Sequence, residues 1–232
     1  VSYRENIDLN VQTQVHLLAQ FKRYYDEMPQ HFLTFFPHSD FSYCDGIFYY
    51  CFLRLIKPKR VIEVGVGNSS KILMFVNKKY FNNNIDCLFI DKNDTKMKRY
   101  IPNNQGKINN KLENVNLRIF DSLKRNDLLF IDTSHKEEDV GFYLHKILPI
   151  LNEGVYIHIH DIFYPWIYIP QYIEEGRGYT ELFELRYFLE SNTNFKIMFF
   201  NHYIQHKLKI LLEEDFPLVC KSTGGSIYIK KM

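Results

Sequence analysis

No stretch of this chain comes near the ~18 consecutive apolar residues of a membrane-spanning helix. The four cysteines, Cys44, Cys51, Cys87 and Cys220, are scattered with no C-x-x-C spacing. That pattern reads as reduced thiols in a reducing compartment rather than as a metal or dithiol motif. The first ten residues are polar and lack the apolar core of a signal peptide, so a cytoplasmic location is expected. There is no arginine-rich tract and no basic tail, and the formal net charge is only +2, which argues against nucleic acid as the main partner. No G-x-S-x-G turn exists, which disfavours a Ser–His–Asp hydrolase. There is no internal repeat. The chain opens at Val1 without an initiator methionine, as a domain cut from a longer protein would.

What is present is a chain of 232 residues, 46% hydrophobic, with 20 Phe and 17 Tyr. That is ample for one large core and leaves aromatics to line a pocket or an interface. Residues 11–28 place Val15, Leu18, Phe21 and Tyr25 at helical spacing. A loop with Pro29 and Pro37 follows, then a second helix over 45–56 that stops at Lys57-Pro58. Residues 1–57 are therefore expected to form an N-terminal helical cap, and 58–232 the main domain. From there strands and helices alternate. Strands are expected at 60–64, 86–91, 115–120, 127–132, 154–160, 195–200 and in the closing G-G-S-I-Y-I-K-K run. Helices are expected at 69–79, 94–101, 138–150 and 179–190, with a long loop at 162–178. Alternation of this kind predicts an α/β fold with a mostly parallel sheet, and the near-continuous apolar strands fit a sheet covered on both faces. The last two strands have a spacing compatible with an antiparallel edge.

In an open parallel sheet, ligands sit beyond the carboxyl ends of the strands. Those ends carry Glu63, Asp91, Asp121, Asp132 and Asp161, with His135 and His160 close by. After the first strand comes Gly65-Val66-Gly67-Asn68-Ser69-Ser70 and a helix start. The glycines permit a sharp turn and close backbone approach, and the helix N–H groups favour electron-rich ligand atoms. Ser70 stands where a dinucleotide fingerprint has its third glycine, which shifts weight from NAD and FAD toward S-adenosylmethionine (SAM). Asp91 is placed to accept both ribose hydroxyls, the alternative being a helix cap. Asp121 and Ser122 are candidates for the adenine amino group.

Asp132 and Asp161 end successive strands, which lie roughly 4.8 Å apart if they are neighbours. With His160 as a third ligand they form a candidate site for Mg²⁺ or Mn²⁺, which would make a substrate alkoxide accessible. The alternative is that Asp161 caps the next turn. His135, three residues after Asp132, is the candidate general base, since an unperturbed imidazole titrates at ~6.5. His158 reads as structural. The aromatic loop 162–178 is expected to lid the pocket with Tyr164, Trp166 and Tyr168.

The runs D-G-I-F-Y-Y, R-L-I-K-P-K-R-V-I-E-V-G-V-G-N-S-S, D-L-L-F-I-D-T-S-H and G-V-Y-I-H-I-H-D-I-F-Y-P, with G-R-G-Y-T-E and N-H-Y downstream, resemble class I SAM-dependent methyltransferases. The resemblance spans about residues 38–230 and is nearest to an uncharacterised bacterial-type family linked to sugar or glycan modification. It implies a seven-stranded Rossmann-like sheet with a reversed last strand. It also implies that Glu63, Gly65, Gly67, Ser69 and Asp91 contact SAM. The I-D-x-S-H run is similar to that of metal-dependent sugar O-methyltransferases, which implies metal binding at Asp132 and a base at His135. His160 replaces the more usual Glu, Val66 stands where relatives often have Ser, and the second strand's I-D-K-N-D lacks their prolines. The expected function is O-methylation of a small polar acceptor, a sugar or glycan, across a SAM site spanning Gly65–Ser70, with Glu181 and His202 as substrate contacts. A homo-oligomer is compatible with this reading. The rivals are an NAD-dependent oxidoreductase and a non-catalytic methyltransferase-fold module.

Overall fold

The computed structural model describes residues 7–35, 41–177 and 179–232, so the expected break at Pro37 and Gly178 of the G-R-G-Y-T-E run lie outside the described residues. The apolar runs form strands β1 (Arg60–Val64), β2 (Asp86–Ile90), β3 (Gly106–Ile108), β4 (Leu128–Ile131), β5 (Tyr156–Ile159), β6 (Phe195–Phe200) and β7 (Ile227–Lys231). They build one seven-stranded sheet in the order β3-β2-β1-β4-β5-β7-β6. β1 to β5 pair in parallel, and β7 runs antiparallel to both β5 and β6. The reversed last strand is thus present, but it is inserted between β5 and β6, which makes β6 the edge.

The helices are α1 (Val11–Asp26), α2 (Tyr43–Ile56), α3 (Asn68–Phe81), α4 (Asp94–Tyr100), α5 (Arg118–Asp121), α6 (Glu137–Phe142), α7 (Pro170–Glu174), α8 (Glu181–Ser191), α9 (Asn201–Lys207) and α10 (Lys209–Asp215). α6 continues through a π turn at Tyr143–Ile147 and a 3-10 turn at Leu148–Ile150. None of the helices among the described residues is long and apolar enough to cross a membrane. In α1, Leu18 and Phe21 are buried as the spacing predicts, whereas Val15 faces solvent.

The strand expected over 115–120 is absent. Asn116 accepts Arg118 N–H at 3.0 Å through its side chain and opens a helical turn, so the alternation of Val115, Leu117 and Ile119 never becomes a strand. The third strand is instead the short β3, paired only with β2. An edge strand bonded on one side needs few apolar residues, so its sequence does not announce it.

α2 is buried without a break from Cys44 to Leu53, the pattern of a helix enclosed on all sides. Its Phe52 ring lies 4.4 Å from Tyr228 and its Phe48 ring 4.9 Å from Phe199, which fixes it on one face of the sheet. Truncating a ring of this kind costs about 3–5 kcal/mol. The helix ends where Lys57 takes a left-handed conformation (φ 50°) ahead of Pro58. Ile62, Leu129, Ile157 and Ile229, on the opposite face, are equally buried, so both faces are covered. Ile131 is in register with Ile159, Ile159 with Ile227, and Ile227 with Phe200. The segments leaving β4, β5 and β6 and the one entering β7 therefore meet at a single sheet edge.

Candidate active site

At that edge β1 ends in Val64 and the chain turns through Gly65 at φ +88°. A Cβ at Gly65 would fall 1.8 Å from the Asp132 carbonyl oxygen, so only glycine lets the turn and the end of β4 approach this closely. At Gly67 an added Cβ would meet nothing within 4 Å, so the backbone there faces open space. Beside this turn lies a cleft of about 190 Å³ whose walls include Gly65, Ile90, Asp91, Leu112, Asp132 and Ser134. Asp91 Oδ2 accepts Val66 N–H at 3.0 Å and its Oδ1 accepts Asn93 N–H at 2.7 Å, which fixes the carboxylate in the wall.

Glu63 stands behind the cleft rather than in it. It is fully buried, and its Oε1 accepts the hydroxyls of Ser69 at 2.6 Å and Ser70 at 2.7 Å. Its Oε2 is buried without a partner, and burial pushes the carboxyl up to about 8. Gly67 N–H donates to Ser70 Oγ at 3.1 Å. Glu63, Ser69 and Ser70 thereby brace the start of α3, and Asn68 accepts from Lys71 at 3.0 Å.

Asp132 lines the cleft and also belongs to a second, buried constellation. His135 Nε2 lies 3.5 Å from Asp132 Oδ1 and 3.2 Å from Asp161 Oδ2, while its Nδ1 bonds Glu181. Tyr143, in the π turn after α6, donates to Glu181 at 2.8 Å, and Tyr172 of α7 donates to Asp161 at 2.5 Å. His160 Nδ1 sits 3.6 Å from Asp132 and 3.4 Å from Asp161, and its Nε2 lies 3.5 Å from Asp45 of α2. Asp45 in turn accepts from Asn201 Nδ2 at 2.8 Å and from Gly225 N–H at 3.0 Å. His135 (φ 58°) and Asp161 (φ 62°) both hold left-handed backbone conformations, which cost a non-glycine residue about 1–3 kcal/mol.

The electrostatics follow from that crowding. Burial opposes charge on His135, but Asp132 and Glu181 outweigh it and push the imidazole up to about 11. The same contest holds His160 well above the usual histidine range, with Asp161 and Asp132 outweighing burial. Burial also works against charge on Asp132, yet the two imidazoles hold its carboxyl well below the usual range. The carboxylates of Asp45, Asp132, Asp161 and Glu181 outnumber the two imidazoles by two. Among the described residues, the ligand atoms of Asp132, His135 and Asp161 all fall within 4.8 Å of one another. The expected metal trio named His160 in place of His135. His160 stands within the same cluster but is shared with Asp45.

The structure therefore gathers Gly65, Asp91, Asp132, His135, His160 and Asp161 at one edge. Asp121 and Ser122 do not line the cleft. With no strand ahead of them, Asp121 is exposed in α5, and Ser122 Oγ donates back to Ile119 at 2.5 Å. Leu112 and Asn110, which follow β3, occupy that side of the cleft. Glu181 is buried as the partner of His135 rather than presented to a substrate. In the loop after β5, Trp166 is buried with its ring 5.4 Å from Phe200 at the end of β6, and Tyr164 packs on Tyr203 of α9 at 5.0 Å. His202 Nδ1 meets the Tyr164 backbone, 2.7 Å from its oxygen. The aromatics around His135 are instead Tyr179, 4.6 Å from its ring, with Tyr168 and Tyr172 beside it. His158 is buried against Tyr228 and Phe130, consistent with a structural part. Asp45 was missed in the sequence. Its signal was an acid inside an otherwise apolar helix, which demands a buried partner.

Comparison with known proteins agrees with this architecture. A family model described as a methyltransferase domain matches residues 95–162, a stretch that contains Asp132, His135, His160 and Asp161 but neither Gly65 nor Asp91. An uncharacterised protein of Archaeoglobus fulgidus is 30% identical over 131 residues, which is 52% of this chain and 59% of that protein's length. Cofactor-bound Rv0187 from MTB superposes with a TM-score of 0.52 at 13% identity, covering 95% of this chain and 89% of that one. The O-methyltransferase TomG of Streptomyces achromogenes, solved in complex with SAM, gives 0.50 at 13% identity with the same coverages. At such identities the likeness is one of fold. The chain thus has the seven-stranded Rossmann-like fold of class I methyltransferases, and its central residues 95–162 are similar to a methyltransferase domain.

Proposed function

We propose that this protein is a SAM-dependent O-methyltransferase acting on a hydroxyl of a small polar acceptor, a sugar or glycan. One observation carries the reading: Asp132 lines the cleft beside Gly65 and at the same time lies 3.5 Å from His135. A cofactor in the cleft and an acceptor over the imidazole would thus be neighbours, as a direct group transfer requires.

The cleft fits SAM by the chemistry of its walls. Asp91 keeps lone pairs beyond those taken by Val66 and Asn93 and can accept ribose hydroxyls. Ile90 and Leu112 offer apolar faces to a purine, and the open backbone at Gly67 admits close approach. Bound there, SAM supplies an electrophilic methyl group on a sulfonium. The residues of the cluster handle the acceptor. Glu181 fixes His135 Nδ1, so Nε2 is the atom directed at Asp132 and Asp161 and, once relieved of its own proton, the one that would receive the acceptor's. The excess of carboxylate suits a hard divalent cation, and Asp132 and Asp161 would hold Mg²⁺ or Mn²⁺ with imidazole nitrogen alongside. Such a cation supplies positive charge that disfavours the proton on His135 and acidifies a bound hydroxyl. Tyr179, half-buried beside His135, would give a polyhydroxylated ring an aromatic face, with Tyr168 and Tyr172 buried behind it. Formation of S-adenosylhomocysteine from SAM, measured over a panel of sugars with and without Mn²⁺, tests the reading. Turnover that depends on none of the sugars, or a His135→Ala variant with full activity, would remove it.

A further inference from the structure

A second cleft, of about 460 Å³, opens at the same sheet edge beyond β6 and β7. Among the described residues, α9, the start of α10 and the segment entering β7 wall it with His202, His206, Lys209, Lys221, Ser222 and Thr223, and with no carboxylate. Glu213, one helical turn along α10, reaches Lys209 only at 3.7 Å, and both side chains are largely exposed. An exposed pair of that kind is weak and easily exchanged for another anion. The walls are already fixed. Gln205 Nε2 donates to Ser222 O at 2.8 Å and its Oε1 accepts Gly224 N–H at 2.7 Å, while Cys44 N–H donates to Ser222 Oγ at 3.0 Å. Burial lowers the His202 imidazole below the usual histidine range, so the ammonium groups of Lys209 and Lys221, with the hydroxyls of Ser222 and Thr223, supply the positive potential met by whatever enters.

This cleft lies at the same sheet edge as the reaction centre, with the buried Phe163 ring between the two. Asn201 and Gly225, which grip Asp45, stand next in the chain to His202 and Gly224. The Phe163 ring lies 5.5 Å from His202 and 5.3 Å from Tyr172, whose hydroxyl bonds Asp161. Two strand spacings, roughly 10 Å, separate the end of β5 from the end of β6. A sugar carrying a phosphoryl group is long enough to bridge them.

We propose that the second cleft binds the phosphoryl group of the methyl acceptor, which makes that acceptor a phosphorylated or nucleotide-linked sugar. The acceptor assignment rests on the methyl-transfer reading above; the anion affinity of the cleft does not. Its size lies within the ~300–1,000 Å³ of ordinary ligand pockets and exceeds what a bare phosphate fills. Lysine ammonium groups are suited to such an anion as point charges.

Cys220 lines the cleft and is exposed, whereas Cys44, Cys51 and Cys87 are buried, so it reports occupancy directly. The probe is inorganic pyrophosphate, and the readout is alkylation of Cys220 by iodoacetamide, followed by mass spectrometry at matched ionic strength. Pyrophosphate is expected to slow alkylation in a saturable way. A Lys209→Glu, Lys221→Glu double variant should need about tenfold more pyrophosphate or lose protection altogether. The same variant should bind S-adenosylhomocysteine within about twofold of the wild type, because the first cleft is remote. Glucose 1-phosphate and a nucleoside diphosphate glucose then separate the two sources of the phosphoryl group, with glucose as the uncharged control. No protection of the wild type, equal protection of the double variant, or equal protection by glucose would overturn the proposal. If pyrophosphate protects but S-adenosylhomocysteine binds nowhere, the anion cleft stands and the methyl-transfer reading falls.

Discussion

The cleft beside Gly65 and the acid–imidazole cluster share Asp132 yet are built in opposite ways. The cleft is built from the carboxyl ends of the neighbouring parallel strands β1 to β4 and the segments that leave them, and backbone N–H groups satisfy its Asp91 carboxylate. The cluster draws on α2, the ends of β4 and β5, the π turn after α6, α7 and α8, and its acids meet imidazoles and phenols, with the Asn201 amide and the Gly225 N–H on Asp45 as well. Binding a cofactor needs an open, preformed surface. Moving a proton needs buried groups whose charges perturb one another. The difference teaches which substitutions should separate binding from turnover and which should destroy both.

The most damaging change expected is Gly65→Ala. The new methyl would clash with the Asp132 backbone at a positive φ, so both regions must shift. A loss of about 3 kcal/mol or more is expected, lowering the thermal midpoint by roughly 10 °C in a chain of this size. Gly67→Ala is the control, since its Cβ meets open space, and should stay within about 1 kcal/mol. Equal melting of the two variants would mean that the approach of β1 and β4 is not constrained as described.

His135→Ala should break the comparison at its other end. Turnover is expected to fall by about 10²–10⁴-fold, the usual contribution of a positioned acid–base group. Affinity for S-adenosylhomocysteine, read by calorimetry, should not change, because the cleft is walled without His135. Equal losses in both would tie the imidazole to the cofactor and not to the acceptor.

How legible these regions were follows from how they are built. The rule that ligands sit at strand carboxyl ends found Gly65, Asp91, Asp132, His135, His160 and Asp161, because each stands at the end of an apolar run. It failed where long-range packing decides. Asp45 lies amid apolar neighbours in α2 and becomes part of the cluster only through β5, β6 and β7. Glu181 read as a substrate contact, and the burial of α8 turned it into the partner of His135. Asp121 and Ser122 were misplaced because the alternation of Val115, Leu117 and Ile119 imitates a strand that the Asn116 turn prevents. His and Asp take left-handed backbones more readily than most residues but do not require them, so those of His135 and Asp161 could not be read from residue type alone.

Glu63 offers a pH test that touches neither ligand nor acceptor. Its carboxyl, pushed up to about 8 by burial, binds a proton more tightly in the folded chain than in the unfolded one. That stabilisation is fully present below the ordinary carboxyl range near 4.5 and is lost as pH rises through about 8. Glu63→Gln keeps an acceptor for Ser69 and Ser70 and does not titrate. The stability of the variant relative to the wild type should therefore rise across this window, on the order of a few kcal/mol in chemical denaturation. A difference independent of pH would show that Glu63 stays ionised behind the cleft.

Asp91→Asn gives the smallest expected effect and the cleanest separation of the two regions. The carboxylate now serves two backbone donors, Val66 N–H at 3.0 Å and Asn93 N–H at 2.7 Å, one on each oxygen. An asparagine keeps a single acceptor oxygen and turns its amide N–H₂ toward the other donor. The wall thus loses a charge and one of its acceptor oxygens while its shape persists. Losing a hydrogen bond to a charged group costs about 1.5–3 kcal/mol, so affinity for S-adenosylhomocysteine should weaken by about 10- to 100-fold. The imidazoles and their carboxylates do not touch Asp91, so kcat at saturating SAM should stay within about twofold while KM rises. If kcat fell and affinity held, Asp91 would be acting on the chemistry, and the division between an open binding cleft and a buried proton-handling cluster would have to be redrawn.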